Sequence, residues 1–173
     1  IEIKNVSRVA GDRSKIVVYS SDRRIDAVGA CVGMRGSRIQ SIVRELNGEK
    51  IDIINWSELP EVLISRSLSP AKPINLYIEE DRPYAVAVFE DEELAMAIGK
   101  GGQNITLASA VSGYTIDAVK KSDYETKESV YLDEVKGITK SQLDILSRNN
   151  IDTAEDFLDA DEDFLLSLKG FGA

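Results

Sequence analysis

Gly33-Met34-Arg35-Gly36 and, 66 positions further on, Gly99-Lys100-Gly101-Gly102 are two copies of one short motif, Gly-x-x-Gly with a basic residue among the two middle positions. Each copy stands between an apolar segment and a helical pattern. After Gly36 comes SRIQSIVRELNGEKIDII, and after Gly102 comes QNITLASAVSGYTIDAV. In the first, Ile39, Ile42, Val43 and Leu46 fall on one helical face and Gly48 is placed to stop the helix. In the second, Ile105, Leu107, Ala108 and Val111 form the face and Gly113 is the stop. Glycine is the usual residue just past a helix end because it accepts the left-handed conformation there. Both helices lead into a short strand, Lys50–Ile54 and Thr115–Val119, each carrying Ile-Asp. An internal repeat of this length implies two copies of one small domain.

The chemistry of such a loop suits a phosphodiester. Glycine has no Cβ, so another backbone can come close. The loop opens onto a helix N-terminus, where unpaired N–H groups and the helix dipole favour an anion. Arg35 and Lys100 add a charge beside it. These are the features of the KH domain, whose GXXG loop clamps about four single-stranded nucleotides by their backbone. The candidate RNA-binding residues are therefore Gly33, Met34, Arg35, Gly36, Arg38 and Ile39 in the first copy. In the second they are Gly99, Lys100, Gly101, Gly102, Gln103, Asn104 and Ile105. Arg38, Gln103 and Asn104 open the helices, within reach of sugars or base edges. Ile39, Ile98 and Ile105 suit either an apolar groove under the bases or the core. Lys50 reads as a solvated strand start, Trp56 as core at the domain junction, and Cys31 as a buried packing residue.

Around the motifs the chain reads as strands and helices in a repeating order. Ile1–Arg8 and Lys15–Ser20 (KIVVYS) are strands about an Ala10-Gly11-Asp12 turn, and Ile25–Val32 is a short helix running into the first loop. Ser57 is placed to cap a helix from Glu58 to about Leu68, with Pro60 in its first turn. Ile74–Glu79 and Tyr84–Phe89 are strands around Asp81-Arg82-Pro83. Asp91–Ile98 is a helix with an acidic first turn, favourable to the dipole. Helix–strand–strand–helix–helix–strand is the order of the prokaryotic form of the KH fold, and the first copy lacks an obvious opening helix. Few residues separate Ile54 from Glu58, so the two copies are expected to pack as one rigid tandem whose loops follow one strand of RNA.

The net charge of −9 argues against a nucleic-acid binder until it is divided along the chain. Residues 1–122 hold 16 Lys/Arg and 17 Asp/Glu, whereas residues 123–173 hold 5 and 13. Local charge decides attraction to phosphate, and Arg35, Arg38, Arg44 and Lys50 cluster in sequence around the first loop. The acidic remainder begins with a polar stretch, KKSDYETKESV over 120–130, that reads as linker. Helices follow over Lys140–Asn149, Ala154–Leu158 (capped by Asp152-Thr153) and Glu162–Leu168 (capped by Asp161). This part resembles helix-hairpin-helix modules, whose hairpin carries Gly-hydrophobic-Gly. Gly137-Ile138-Thr139 departs from that pattern and Gly170-Phe171-Gly172 keeps it. Its acidity favours a basic protein partner over DNA.

Composition narrows the function further. No apolar run approaches the roughly 20 residues of a membrane span. Cys31 is alone, so no disulfide framework exists and a reducing cytoplasm is the simplest setting. The chain has no His, no P-loop and no metal-ligand cluster, so the expectation is a protein that is not an enzyme and needs no cofactor; a monomer is expected as well. A chain that begins at Ile1 without Met and stops in mid-motif at Ala173 reads as a fragment.

Residues Ile25–Gln40, with the run GACVG-x-RG-x-R-x-Q, resemble the first KH domain of the NusA family of bacterial transcription factors. So do Gly48–Asp52, Trp56-Ser57 and Leu68–Lys72, and Leu94–Asn104 resemble the second. The resemblance covers about residues 1–120. It implies an α+β protein of two tandem prokaryotic-type KH domains packed as one unit, residues 1–56 and 57–120. A linker over 121–131 and a small all-α, acidic helix-hairpin-helix-like domain over 132–173 would follow. It further implies a factor that rides with RNA polymerase, contacts nascent single-stranded RNA and modulates pausing, termination and antitermination. The alternatives are a protein-interaction scaffold whose loops no longer bind RNA, and a ribosome-linked KH protein with weak RNA binding.

Overall fold

The computed structural model describes residues 1–128 and 130–171, with side chains described throughout except at 125–128. Ile1–Lys121 form one compact unit and Ser122–Ala173 a second. The first unit contains the same topology twice. Strands β1 (Glu2–Val9), β2 (Arg13–Tyr19) and β3 (Lys50–Asn55) form one sheet with β2 in the centre, β1 antiparallel to it and β3 parallel. The parallel crossover is made by α1 (Ala27–Val32) and α2 (Ser37–Glu45). In the second copy α3 (Pro60–Ser67) precedes β4 (Asn75–Ile78) and β5 (Tyr84–Phe89). Then α4 (Leu94–Ile98) and α5 (Gln103–Ser112) cross to β6 (Thr115–Lys120), again with β5 central and β6 parallel.

The two sheets agree in register. Arg13 lies opposite Lys50, and Tyr84 opposite Thr115. The repeated Ile-Asp therefore has the same cross-strand task in both. Asp52 accepts from Arg13 Nε at 2.7 Å, and Asp117 accepts from the Tyr84 hydroxyl.

Helix α5 joins the copies. Its Leu107, Ala108 and Val111 are buried. Ala108 belongs to the core of the second domain with Ile64, Leu68, Phe89 and Ala97. Val111 packs with Val17 and Ile54 of the first domain, flanked by Trp56 and Leu63. Polar contacts tie the same faces: Ser7 Oγ donates to Leu107 O at 2.7 Å and Asn5 Nδ2 to Val111 O at 2.9 Å. Lys15, fully buried, donates to Ser69 O at 2.6 Å and to Asp52 at 2.9 Å. Burial pushes the Lys15 ammonium below its usual range despite its partner. Burial would raise the Asp52 carboxyl, but the hydrogen bonds from Arg13 and Lys15 outweigh it and hold the group low. These contacts make the two domains one unit, as the short connection demands. Trp56 sits half-buried at the junction, edge-on to Tyr19 with ring centroids 5.2 Å apart.

Several elements differ from the sequence reading. Helix α3 begins at Pro60, not Glu58. The residue before a proline avoids the helical region, and Leu59 is extended at φ −80°, ψ 116°, with Pro60 at the first helical position. Ser57 Oγ accepts from Leu59 N at 3.2 Å but caps nothing. Helix α4 begins at Leu94, so Asp91–Glu93 form a turn ahead of it and there is no acidic first turn. The apolar face of α2 contributes no buried residue, and Ile42 is 46% exposed. Its counterpart α5 packs against α3 and against β1 and β2, and among the described residues α2 has no equivalent of α3. Cys31 is half-buried rather than buried, because only Ala27 of the one-turn α1 is fully covered. Most of the stretch read as linker is helical, α6 (Lys121–Glu128). It has no Gly or Pro to break it, and Asp123 suits its first turn.

The second unit is a set of short capped helices. Thr139 caps α7 (Lys140–Arg148) in a box with Gln142, and Thr153 caps α8 (Ala154–Asp159) in a box with Asp156. Asp161 caps α9 (Glu162–Ser167) by accepting from Phe164 N. The caps explain the departure from Gly-hydrophobic-Gly in the first hairpin: Thr139 occupies the place of the second glycine because it closes α7. Leu132, Leu146 and Ile151 form the core, with Leu143, Phe157 and Leu165 against it. Gly170 has φ +96°, while Gly172 lies outside the described residues.

Candidate nucleic-acid interface

The two Gly-x-x-Gly loops have one backbone conformation. The first glycines, Gly33 and Gly99, lie at φ 77° with ψ 171° and 172°. The last, Gly36 and Gly102, are left-handed at φ 77°, ψ 14° and φ 74°, ψ 12°. The third position is left-handed too, Arg35 at φ 52° and Gly101 at φ 61°. Each loop makes one tight turn, with Gly36 N donating to Gly33 O at 3.0 Å and Gly102 N to Gly99 O at 3.1 Å, before the following helix begins.

The glycines divide their work. A Cβ on Gly99 would stand 2.9 Å from the backbone nitrogen of Asn104 and 2.8 Å from its Cβ, and one on Gly33 would stand 3.0 Å from the nitrogen of Arg38. The first glycine thus lets the loop fold back onto the helix it starts. At Gly101 and Gly102 nothing lies within 4 Å, so that side is open to an incoming backbone. Met34 is 84% exposed, and Arg35 and Lys100 are exposed on the same open turns.

The helix-opening residues behave differently from one another. Arg38 is exposed, and its Nη1 donates to Ala30 O at 2.7 Å. Gln103 is half-buried and its Nε2 reaches Asp12 Oδ2 at 3.3 Å. Asn104 is a correction: only 2% exposed, its Nδ2 donates to Leu68 O at 3.1 Å and Ala97 O at 3.0 Å. Its Oδ1 is buried without a partner. That side chain anchors the start of α5 to α4 and to the end of α3. Ile39 is half-buried, and Ile105 packs against the second domain's core.

Beside the second loop lies a hollow of about 210 Å³, lined by Asp12, Arg13 and Lys50 of the first domain and by Gly99, Lys100, Gln103 and Asn104 of the second. Sequence reasoning missed this neighbourhood. Lys50 stands 14 residues after Gly36 and 49 before Gly99, and no local signal places it beside the later loop.

With this geometry the comparisons with known proteins agree. Residues 1–56 match the model of the NusA-like first KH domain and residues 60–126 that of the NusA-like second KH domain. By this pair of KH domains the chain belongs to the NusA family. A protein of Halalkalibacterium halodurans named transcription termination/antitermination protein NusA is 46% identical over 134 residues, 78% of this chain and 35% of its own length. The Bacillus subtilis protein of the same name is 46% identical over 123 residues, 71% of this chain and 33% of its own. The chain thus spans about a third of the length of these NusA relatives.

Proposed function

We propose that the NusA-type pair, with domains at 1–56 and 57–120, binds single-stranded RNA along one strand through both Gly-x-x-Gly loops. The carrying observation is that the two loops share one backbone conformation within one unit, and each presents an exposed cation, Arg35 or Lys100, on an open turn. Phosphates sit at Gly102, whose surroundings are open, and at Gly36, where only the Gln40 and Ile39 side chains come within 4 Å of a Cβ position. Arg38, Ile39, Gln103 and Ile105 flank the path. In the whole protein this module contacts nascent RNA behind RNA polymerase and acts on pausing, termination and antitermination in the cytoplasm, without enzymatic chemistry of its own. The acidic helices of 132–173 dock a basic protein.

Fluorescence anisotropy of a labelled single-stranded RNA tests the reading on the intact chain and two variants, Met34→Asp with Arg35→Asp, and Lys100→Asp with Gly101→Asp. Aspartate tolerates the left-handed conformation of the third position better than most residues, so the loops keep their shape while repelling phosphate. Each variant is expected to lose most of its affinity while keeping its circular dichroism. Unchanged binding by both refutes the reading and leaves a protein-interaction scaffold.

A further inference from the structure

The hollow beside the second loop draws its cations from both domains. Lys100 belongs to the Gly-x-x-Gly turn, whereas Lys50 begins β3 of the first domain. Both side chains are exposed. The third cation lining the hollow, Arg13, is already engaged by Asp52 through two hydrogen bonds of 2.7 and 3.0 Å. One carboxylate, Asp12, lines it as well and is tied to Gln103. With Arg13 and Asp52 neutralising one another, two lysines face one aspartate, and the hollow carries a net positive charge. Lys50 is held in place by its own backbone, whose N–H donates to Asp12 O at 3.0 Å. The placement needs the folded pair. The start of β3 lies beside the start of β2, and α5, which Gly102 opens, packs against β1 and β2.

We propose that Lys50 of the first domain completes the phosphate site of the second loop, so that one RNA phosphate is held between Lys50 and Lys100 across the domain boundary. This inference rests on the RNA-binding reading above. A phosphodiester is the ligand that fits, because the hollow offers two ammonium groups and a glycine turn. The neighbouring Asp12 carboxylate repels a doubly charged anion more than the single charge of a phosphodiester.

The test is a titration of single-stranded RNA at several salt concentrations, using the full chain. Each phosphate neutralised on a single strand contributes about −0.7 to the slope of log affinity against log salt. Lys50→Gln is expected to weaken binding roughly fivefold at low salt and, because Lys100 still meets the shared phosphate, to flatten the slope by less than about 0.7. Asp12→Asn should act in the opposite direction and tighten binding. The effect of Lys50→Gln should vanish when the second loop already carries Lys100→Asp and Gly101→Asp, and should persist when the first loop carries Met34→Asp and Arg35→Asp. If Lys50→Gln binds with unchanged affinity and slope while the loop variants lose binding, the loops hold RNA and Lys50 does not, and the inference fails alone. If its effect instead vanishes in the first-loop background, Lys50 serves the other site and the inference is again overturned. If the loop variants also bind normally, the RNA-binding reading itself has failed. Circular dichroism of Lys50→Gln separates a lost contact from a lost fold, since its exposed side chain supports no core.

Discussion

Replacing the first and the last glycine of a loop by alanine should have very different costs. Gly99 lies at φ 77°, ψ 172°, in a region almost confined to glycine, where another residue costs roughly 1–3 kcal/mol. Its new Cβ would also meet backbone 2.9 Å away. The neighbour cannot retreat, because Asn104 is pinned by hydrogen bonds to Leu68 O and Ala97 O. Overpacking of that kind costs about 1–3 kcal/mol more, and the stiffer unfolded chain returns only about 0.4–1 kcal/mol. Gly99→Ala should therefore destabilise by about 3 kcal/mol. Gly102 is left-handed with nothing within 4 Å, so Gly102→Ala meets only the conformational cost and should lose about 0.5 kcal/mol. The assay is urea unfolding followed by the fluorescence of Trp56, the single tryptophan, which packs at the junction of both domains. With a slope of about 1.5 kcal/mol per molar urea, the midpoints should fall by about 2 M and 0.3 M. Gly33→Ala and Gly36→Ala should repeat the contrast. Equal shifts for Gly99→Ala and Gly102→Ala would refute the division of labour between the glycines.

Arg35 bears a left-handed conformation that Gly101 bears in the other loop, so Arg35→Gly should relieve strain while loosening the unfolded chain. Its stability should change by less than about 0.5 kcal/mol, while its RNA-binding salt slope flattens by about 0.7; a melt and a titration separate the two. Asp52→Ala would leave the fully buried Lys15 without its carboxylate and should cost about 3 kcal/mol, and a urea midpoint within 0.5 M of wild type (about 1 kcal/mol or less) would count against the buried pair. Glu49, fully buried at its side chain, accepts from Arg8, Ser14 and the Gly11 N–H, and these hold its carboxyl down to about 2 against an ordinary 4.5. Because the folded state holds the proton more weakly, the stability from Glu49 is fully present above about pH 4.5 and disappears as the pH falls from there toward 2. The difference in melting temperature between wild type and Glu49→Gln should therefore be widest near neutrality and close in acid, and a difference independent of pH would refute the assignment.

Much of this fold is written in local chemistry. KIVVYS announces β2 because branched residues fit a pleated, two-sided sheet, and Thr153 and Asp161 announce α8 and α9 through cap bonds that need only three residues. The start of α3 depends on a proline's neighbour, and the exposed face of α2 on what covers a helix from outside. Asn104 is the clearest case. It occupies the position in the second copy that Arg38 occupies in the first, two residues past the last glycine. In both, that side chain bonds back to a carbonyl of the preceding helix, Ala30 O or Ala97 O. Only in the second copy does the end of α3 close over it. A polar residue after a phosphate-type loop looks like a ligand contact until the covering helix is seen.

Charge shows the same limit at the level of the site. Along the chain Arg35, Arg38, Arg44 and Lys50 all gather at the first loop, and the second has Lys100 alone. In space Arg44 Nε turns to Gln40 O at 3.3 Å along its own helix, Arg38 is tied to Ala30 O, and Lys50 lies beside Lys100 in the hollow. Folding thereby moves positive charge from the richer loop to the poorer one. The transfer requires the β2–β3 pairing of the first domain and the packing of α5 against it, contacts made between residues about 35 to 105 apart in sequence. The junction that joins the two domains is thus also what equalises their loops. A substitution that loosened the junction, such as one at Ser7 or Val111, should then weaken RNA binding at the second loop more than at the first, even though neither residue lies in a loop.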